Sequence, residues 1–150
     1  MNTKLLFPSL AALFLFIMGA YFFSHPSYEK SIKAKYYYEM GDYKEALALS
    51  REAFSLDAYN RMAATVMAQS LTSMRYMVYI EDAKKYMKQI NSIAAQESIS
   101  DADKAKIRMM CAIMLSTYVK LAPSVVTDKD LVKEASKYYL EFEQILEKIN

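Results

Sequence analysis

Residues 5–23 contain no charge and only one hydroxyl besides that of Tyr21, and nothing later in the chain matches that apolar run. At about 1.5 Å of rise per residue the segment is roughly 28 Å long as a helix, close to the roughly 30 Å hydrocarbon core of a bilayer. It therefore predicts an N-terminal transmembrane helix, with residues 1–24 as a membrane anchor and residues 25–150 as a helical domain held beside the bilayer.

A secretory signal peptide competes with this reading, because residues 1–4 supply a short basic start. Signal sequences have shorter apolar regions, about 7–15 residues, and end at a small-x-small site. The available exits, Met18-Gly19-Ala20 and Phe22-Phe23-Ser24, each place a bulky residue where a small one is needed, and no cysteine lies nearby to take a lipid. The expectation is an uncleaved single pass through an inner (cytoplasmic) membrane. Tyr21, Phe22, Phe23 and Tyr28 would lie at the water interface, and Pro8 is of a type tolerated within such helices. Lys4 and the terminal amine favour a cytoplasmic amino terminus, whereas Lys30, Lys33 and Lys35 oppose export of the helical domain. The flank at 24–29 has no Lys or Arg, which tips the expectation towards a periplasmic, extracytoplasmic domain.

Beyond the anchor the chain is long enough for one modest core. Apart from Lys4, 18 Lys and Arg stand against 17 Asp and Glu, interleaved as in Glu81-Asp82-Ala83-Lys84-Lys85, so no electrostatic footprint for nucleic acid is present. Cys111 is the single cysteine and has no partner for an intramolecular disulfide. Gly19 and Gly41 are the only glycines, which excludes glycine-rich phosphate loops and argues against a turn-dense β architecture. The 11 methionines suit either adaptable helix interfaces or a promiscuous binding surface.

Apolar spacing and turn residues predict about six antiparallel helices after the anchor, near 28–40, 43–54, 61–73, 79–94, 100–121 and 128–149. Gly41-Asp42 marks the first break, Asn60 caps the third helix, Ser98 or Ser100 caps the fifth, Pro123 ends it, and Thr127 with Asp128 opens the sixth. Short connections at 41–42, 74–78 and 122–126 would fold these helices into three hairpins. A single hairpin cannot bury its own apolar face, so the hairpins are expected to stack.

Within 27–60, Ala34 and Tyr37, then Gly41-Asp42-Tyr43, then Glu45-Ala46, and finally Ala53 with Leu56-Asp57 recur at spacings that resemble a tetratricopeptide repeat (TPR), a unit of about 34 residues. The usual terminal proline is replaced by Ala58. Residues 61–97 and 100–150 fit as two degenerate pairs. The resemblance implies an all-α fold of three TPR-like hairpins forming a right-handed α-solenoid. It also implies a protein-binding inner face on the first helix of each pair: Ser31, Lys35, Tyr38 and Glu39, then Met62, Thr65, Gln69 and Thr72. The Lys and Asn set with which some relatives grip a terminal carboxylate is missing.

No catalytic constellation can be assembled. His25 is the sole histidine and lies beside Pro26 just past the anchor, so neither a Ser-His-Asp arrangement nor a multi-histidine metal site can form in the domain. Cys111 falls on an apolar stripe, as a small core hydrophobe would. Asp101 with Asp103, and Glu141 with Glu143 and Glu147, suit helix starts and solvated faces. The expectation is thus a non-enzyme without cofactor, metal, nucleic acid or small-molecule substrate. It would be a scaffold or chaperone for protein partners in an envelope complex such as a secretion, flagellar or pilus assembly, attached to lipid through residues 5–23. The alternative is a permanent accessory subunit packing through its membrane helix.

Overall fold

A computed structural model describes residues 3–125 and 127–149, with side chains described except at 3–6, 22 and 23. Among these residues the chain is all-α, with six helices and no strand: α1 (Thr3–Phe23), α2 (Pro26–Glu39), α3 (Tyr43–Leu56), α4 (Arg61–Ala94), α5 (Asp101–Tyr118) and α6 (Lys129–Ile149). They form two compact units, Met1–Ser70 and Leu71–Asn150.

Pro26 sets the break between α1 and α2. A proline ring clashes with helical backbone at the residue before it, and His25 accordingly leaves the helix at φ −112° and ψ 101°. Pro26 then occupies the first turn of α2, where its missing N–H removes no hydrogen bond. The end of α1 closes on itself. The Ser24 hydroxyl donates to the Ala20 carbonyl at 2.7 Å, and His25 Nδ1 lies 2.8 Å from the Tyr21 carbonyl with its ring centroid 4.2 Å from that of Tyr21. The stretch Phe7–Tyr21 and α2 are bent by 91° across this break.

α2 and α3 form the expected hairpin around Gly41. Gly41 has φ 81°, a left-handed conformation that costs a glycine little. Its N–H donates to the Tyr38 carbonyl at 3.1 Å and that of Asp42 to Tyr37 at 2.9 Å, which satisfies carbonyls that the helix end leaves open. Asp42 then caps α3, its Oδ1 accepting the Glu45 amide at 3.1 Å. Small residues, Ala34 on α2 and Ala46 on α3, meet in a cluster with Val66 of α4, and Tyr37, Tyr38 and Leu49 pack around it.

Asn60 joins α2, α3 and α4. It is buried at the start of α4, and its Oδ1 accepts the Ala63 amide at 3.1 Å. Its Nδ2 donates to Ser27 Oγ at 2.9 Å and to Ser31 Oγ at 3.2 Å. Ser27 donates onward to the Ala53 carbonyl near the end of α3 at 2.8 Å, and Ser31 to the Tyr28 carbonyl at 2.9 Å. The buried amide is thus fully bonded, as burial of a polar group requires.

The expected connection at 74–78 does not exist. α4 runs unbroken for 34 residues, so five helices rather than six follow α1, and the hairpin expected at 61–97 is one helix. The physical reason lies in the residues: 73–79 include no Gly or Pro, and buried positions continue through them at Ser70, Ser73, Tyr76, Ile80 and Ala83 in steps of three and four. The C-terminal part of α4 packs with α5 and α6 in the second unit. Its core combines Tyr79, Ile80, Ala83 and Ile90 with Ile107, Met110, Cys111 and Met114 of α5 and Ala135 and Phe142 of α6. Tyr79 meets Tyr118 at 5.6 Å between centroids, and Arg108 donates to the Ile149 carbonyl at 2.9 Å, so α5 runs opposite to both neighbours. Ser100, rather than Ser98, caps α5 by accepting the Asp103 amide at 3.1 Å. α5 ends before Pro123, and Val126, the last residue of the expected 122–126 connection, lies outside the described residues.

Asn60→Ala removes the α4 cap and the bridge to α2 together and is expected to cost about 2 kcal/mol. Asn60→Ser, which keeps a capping oxygen, is expected to cost roughly half of that. Urea denaturation of the two variants beside the parent chain measures the difference.

Candidate functional site

The structure separates the eight residues of the expected inner face. Ser31 is fully buried and holds the Asn60 network, so it is no surface residue; this corrects its sequence assignment, and the cause is the long-range bond to Asn60. Tyr38 is half-buried against the Ala34, Ala46 and Val66 cluster, with its ring 5.3 Å from that of Tyr43. Lys35, Glu39, Met62 and Thr65 are exposed, the Thr65 hydroxyl turned back to the Arg61 carbonyl at 2.8 Å, and Gln69 is half-buried. Thr72 is half-buried and belongs to the second unit.

α1 presents a different chemistry. The large apolar side chains Leu10, Leu13, Phe14, Leu15, Phe16 and Ile17 are between 56% and 76% exposed, and they point to every side of the helix rather than along one stripe. A helix apolar all round is normally buried, in a protein core or in a membrane. Among the described residues no single helix is long and apolar enough to cross a membrane: Phe7–Tyr21 is roughly 22 Å long, and it meets the criterion only jointly with α2 across the bend. α2 contributes Glu29, Lys30, Lys33 and Lys35 to that pair and has its own core contacts with α3, so the apolar character resides in α1. Phe22 and Phe23, expected at the interface, have side chains outside the described set; Tyr21 and Tyr28 flank His25.

The second unit holds an open cleft of about 440 Å³ that sequence reasoning missed. Leu71, Met74, Val78 and Leu121 give it apolar walls, and Arg75, Asp82 and Lys120 also line it. Three of these lining residues, Met74, Arg75 and Val78, come from the stretch that reads as a loop when hairpin pairing is imposed. Following the unbroken rhythm of buried positions through 70–83 would have found them.

Tyr79 lines the same cleft but is itself 1% exposed, and its hydroxyl has no hydrogen-bond partner. Burial pushes its phenol well above the ordinary tyrosine range, with Tyr118 and Tyr139 adding to the effect. Burial likewise pushes the Cys111 thiol up, which disfavours the reactive thiolate. Asp103 serves the Ser100 cap, and Glu141 lies 3.8 Å from Lys137 on a solvated side of α6. Among the described residues no three His, Cys, Asp or Glu side chains converge to hold a metal ion.

Comparison with protein-family models, with curated proteins and with solved structures finds no match to this chain. Function must therefore be argued from its own geometry.

Tyr79→Phe removes an unpartnered buried hydroxyl and is expected to stabilise the fold by about 1 kcal/mol. A phenol pKa raised by folding gives stability that is complete below the unfolded value of about 10 and is lost as pH rises above it. The variant is accordingly expected to lose less stability than the parent between pH 9 and about 11. Thermal melts across that range measure both effects.

Proposed function

We propose that this chain is a membrane-tethered protein-interaction module: α1 lies in a bilayer, and the helical units bind protein partners as a scaffold or chaperone of an envelope complex. The observation that carries the reading is α1 itself, exposed and apolar on every side. Its uncharged run, residues 5–23, measures roughly 28 Å, close to the thickness of a hydrocarbon core. Its Leu, Ile and Phe side chains favour insertion by on the order of 5 kcal/mol in total. Tethering raises the effective concentration of the units beside other membrane proteins, so a modest contact suffices for recruitment.

The finer reading treats residues 27–60 as one TPR-like hairpin within a solenoid-like domain. Support comes from the left-handed Gly41 turn, the Asp42 cap and the close Ala34 to Ala46 approach, where the repeat pattern calls for small residues. Partner contact is assigned to the exposed Lys35, Glu39, Met62 and Thr65 with Gln69. Tyr38 stiffens that surface from below. An extracytoplasmic placement is supported by the flank at 24–29, which holds no Lys or Arg.

The accessory-subunit reading differs in where partner specificity resides. Exchange of residues 5–23 for an unrelated apolar helix of equal length separates the two, combined with photoreactive residues at Lys35 and Met62 and a control at Glu143 in intact membranes. Crosslinking at Lys35 and Met62 but not at Glu143 is expected to persist after the exchange. Loss of capture on exchange would assign specificity to α1.

A further inference from the structure

We propose that α2 lies flat on the membrane surface, with Ile32, Tyr36 and Met40 seated at the boundary between lipid headgroups and acyl chains. The proposal rests on the reading of α1 as the bilayer-inserted segment. α2 has two opposed sides. Ser27, Ser31 and Ala34 form the buried one, occupied by α3 and the Asn60 amide. At about 100° per residue, Ile32, Tyr36 and Met40 project from the other. They are 50%, 61% and 67% exposed, on the side where a helix of this kind normally carries charge. Of the charges beside them, Glu29 and Lys33 are closed on each other at 2.6 Å, and the exposed Glu39 adjoins Met40 at the edge of that side.

The right angle between α1 and α2 selects the occupant. A helix bent by 91° from one that crosses a bilayer runs in the plane of that bilayer. α2 begins one residue past the adjoining rings of Tyr21 and His25, the kind of side chain that settles at the water interface. Because α3 and Asn60 occupy the Ser27, Ser31 and Ala34 side of α2, the side assigned to the lipid is that of Ile32, Tyr36 and Met40. An interfacial helix sinks its apolar face about 5–10 Å into the headgroup and acyl boundary, a depth that suits an isoleucine, a methionine and a tyrosine whose hydroxyl stays wet.

The chain has no tryptophan, so single-tryptophan variants report from one place each. Leu13→Trp, Tyr36→Trp, Met40→Trp and Ala48→Trp of the full chain are reconstituted in vesicles of phosphatidylcholine and phosphatidylglycerol, whose acyl chains carry bromine either near the headgroup or near the chain end. The Tyr36 and Met40 variants are expected to lose emission with shallow bromine and the Leu13 variant with deep bromine. The Ala48 variant, on the exposed side of α3, is expected to lose none. Quenching at Leu13 with Tyr36 and Met40 no more quenched than Ala48 would overturn the placement of α2 and leave the anchor standing. Absence of quenching at Leu13 would overturn the anchor, and this proposal with it.

Discussion

A residue that precedes proline cannot remain helical without steric cost, and at His25 that constraint separates two chemistries in one chain. Before it, α1 offers apolar side chains in all directions and satisfies its backbone internally, as a segment surrounded by hydrocarbon must. After it, α2 has a side committed to α3 and charged residues between. Had the helix continued straight through residue 26, the charges of α2 would prolong an apolar rod. The bend turns them aside within two residues.

Once the chain has turned, the first unit is held less by bulk than by fit. Its cluster is built on Ala34, Ala46 and Val66, side chains too small to supply much apolar burial. The close approach they permit is fixed by Asn60, which meets α2, caps α4 and reaches α3 through Ser27. A network of this kind is favourable only when every member is bonded, and here each one is. The second unit relies instead on large side chains, with Tyr79, Phe142, Ile107 and Met114 nearly inaccessible. That core carries an unsatisfied group, the Tyr79 hydroxyl, whose ring lies tilted by 54° against Tyr118.

The legible parts of the fold were those with local causes. Gly41-Asp42 announces a helix end and a new start within two residues, Asn60 and Ser100 sit one place before their helices, and the apolar face from Ile107 to Met114 repeats without exception. The break assigned to 74–78 had no such cause: it came from the expectation that helices pair, and a 34-residue helix has no need of a loop. Ser31 failed as a surface residue for a different reason. A serine on α2 reads as polar and exposed until Asn60, 29 positions away, reaches it, and that contact exists only in the folded unit. The exposed state of α1 was legible because apolarity on every face admits no internal partner of comparable size.

If lipid covers α1, the chain must partition with membranes for reasons that neither salt nor mild alkali removes, since burial of apolar side chains would hold it there. The direct measurement is flotation of the full chain with vesicles before and after washing in alkaline carbonate. The expected result is that the intact chain floats with the lipid in both cases and keeps its helical circular dichroism. Recovery of the intact chain in the carbonate-soluble fraction would contradict the assignment of α1 to the bilayer.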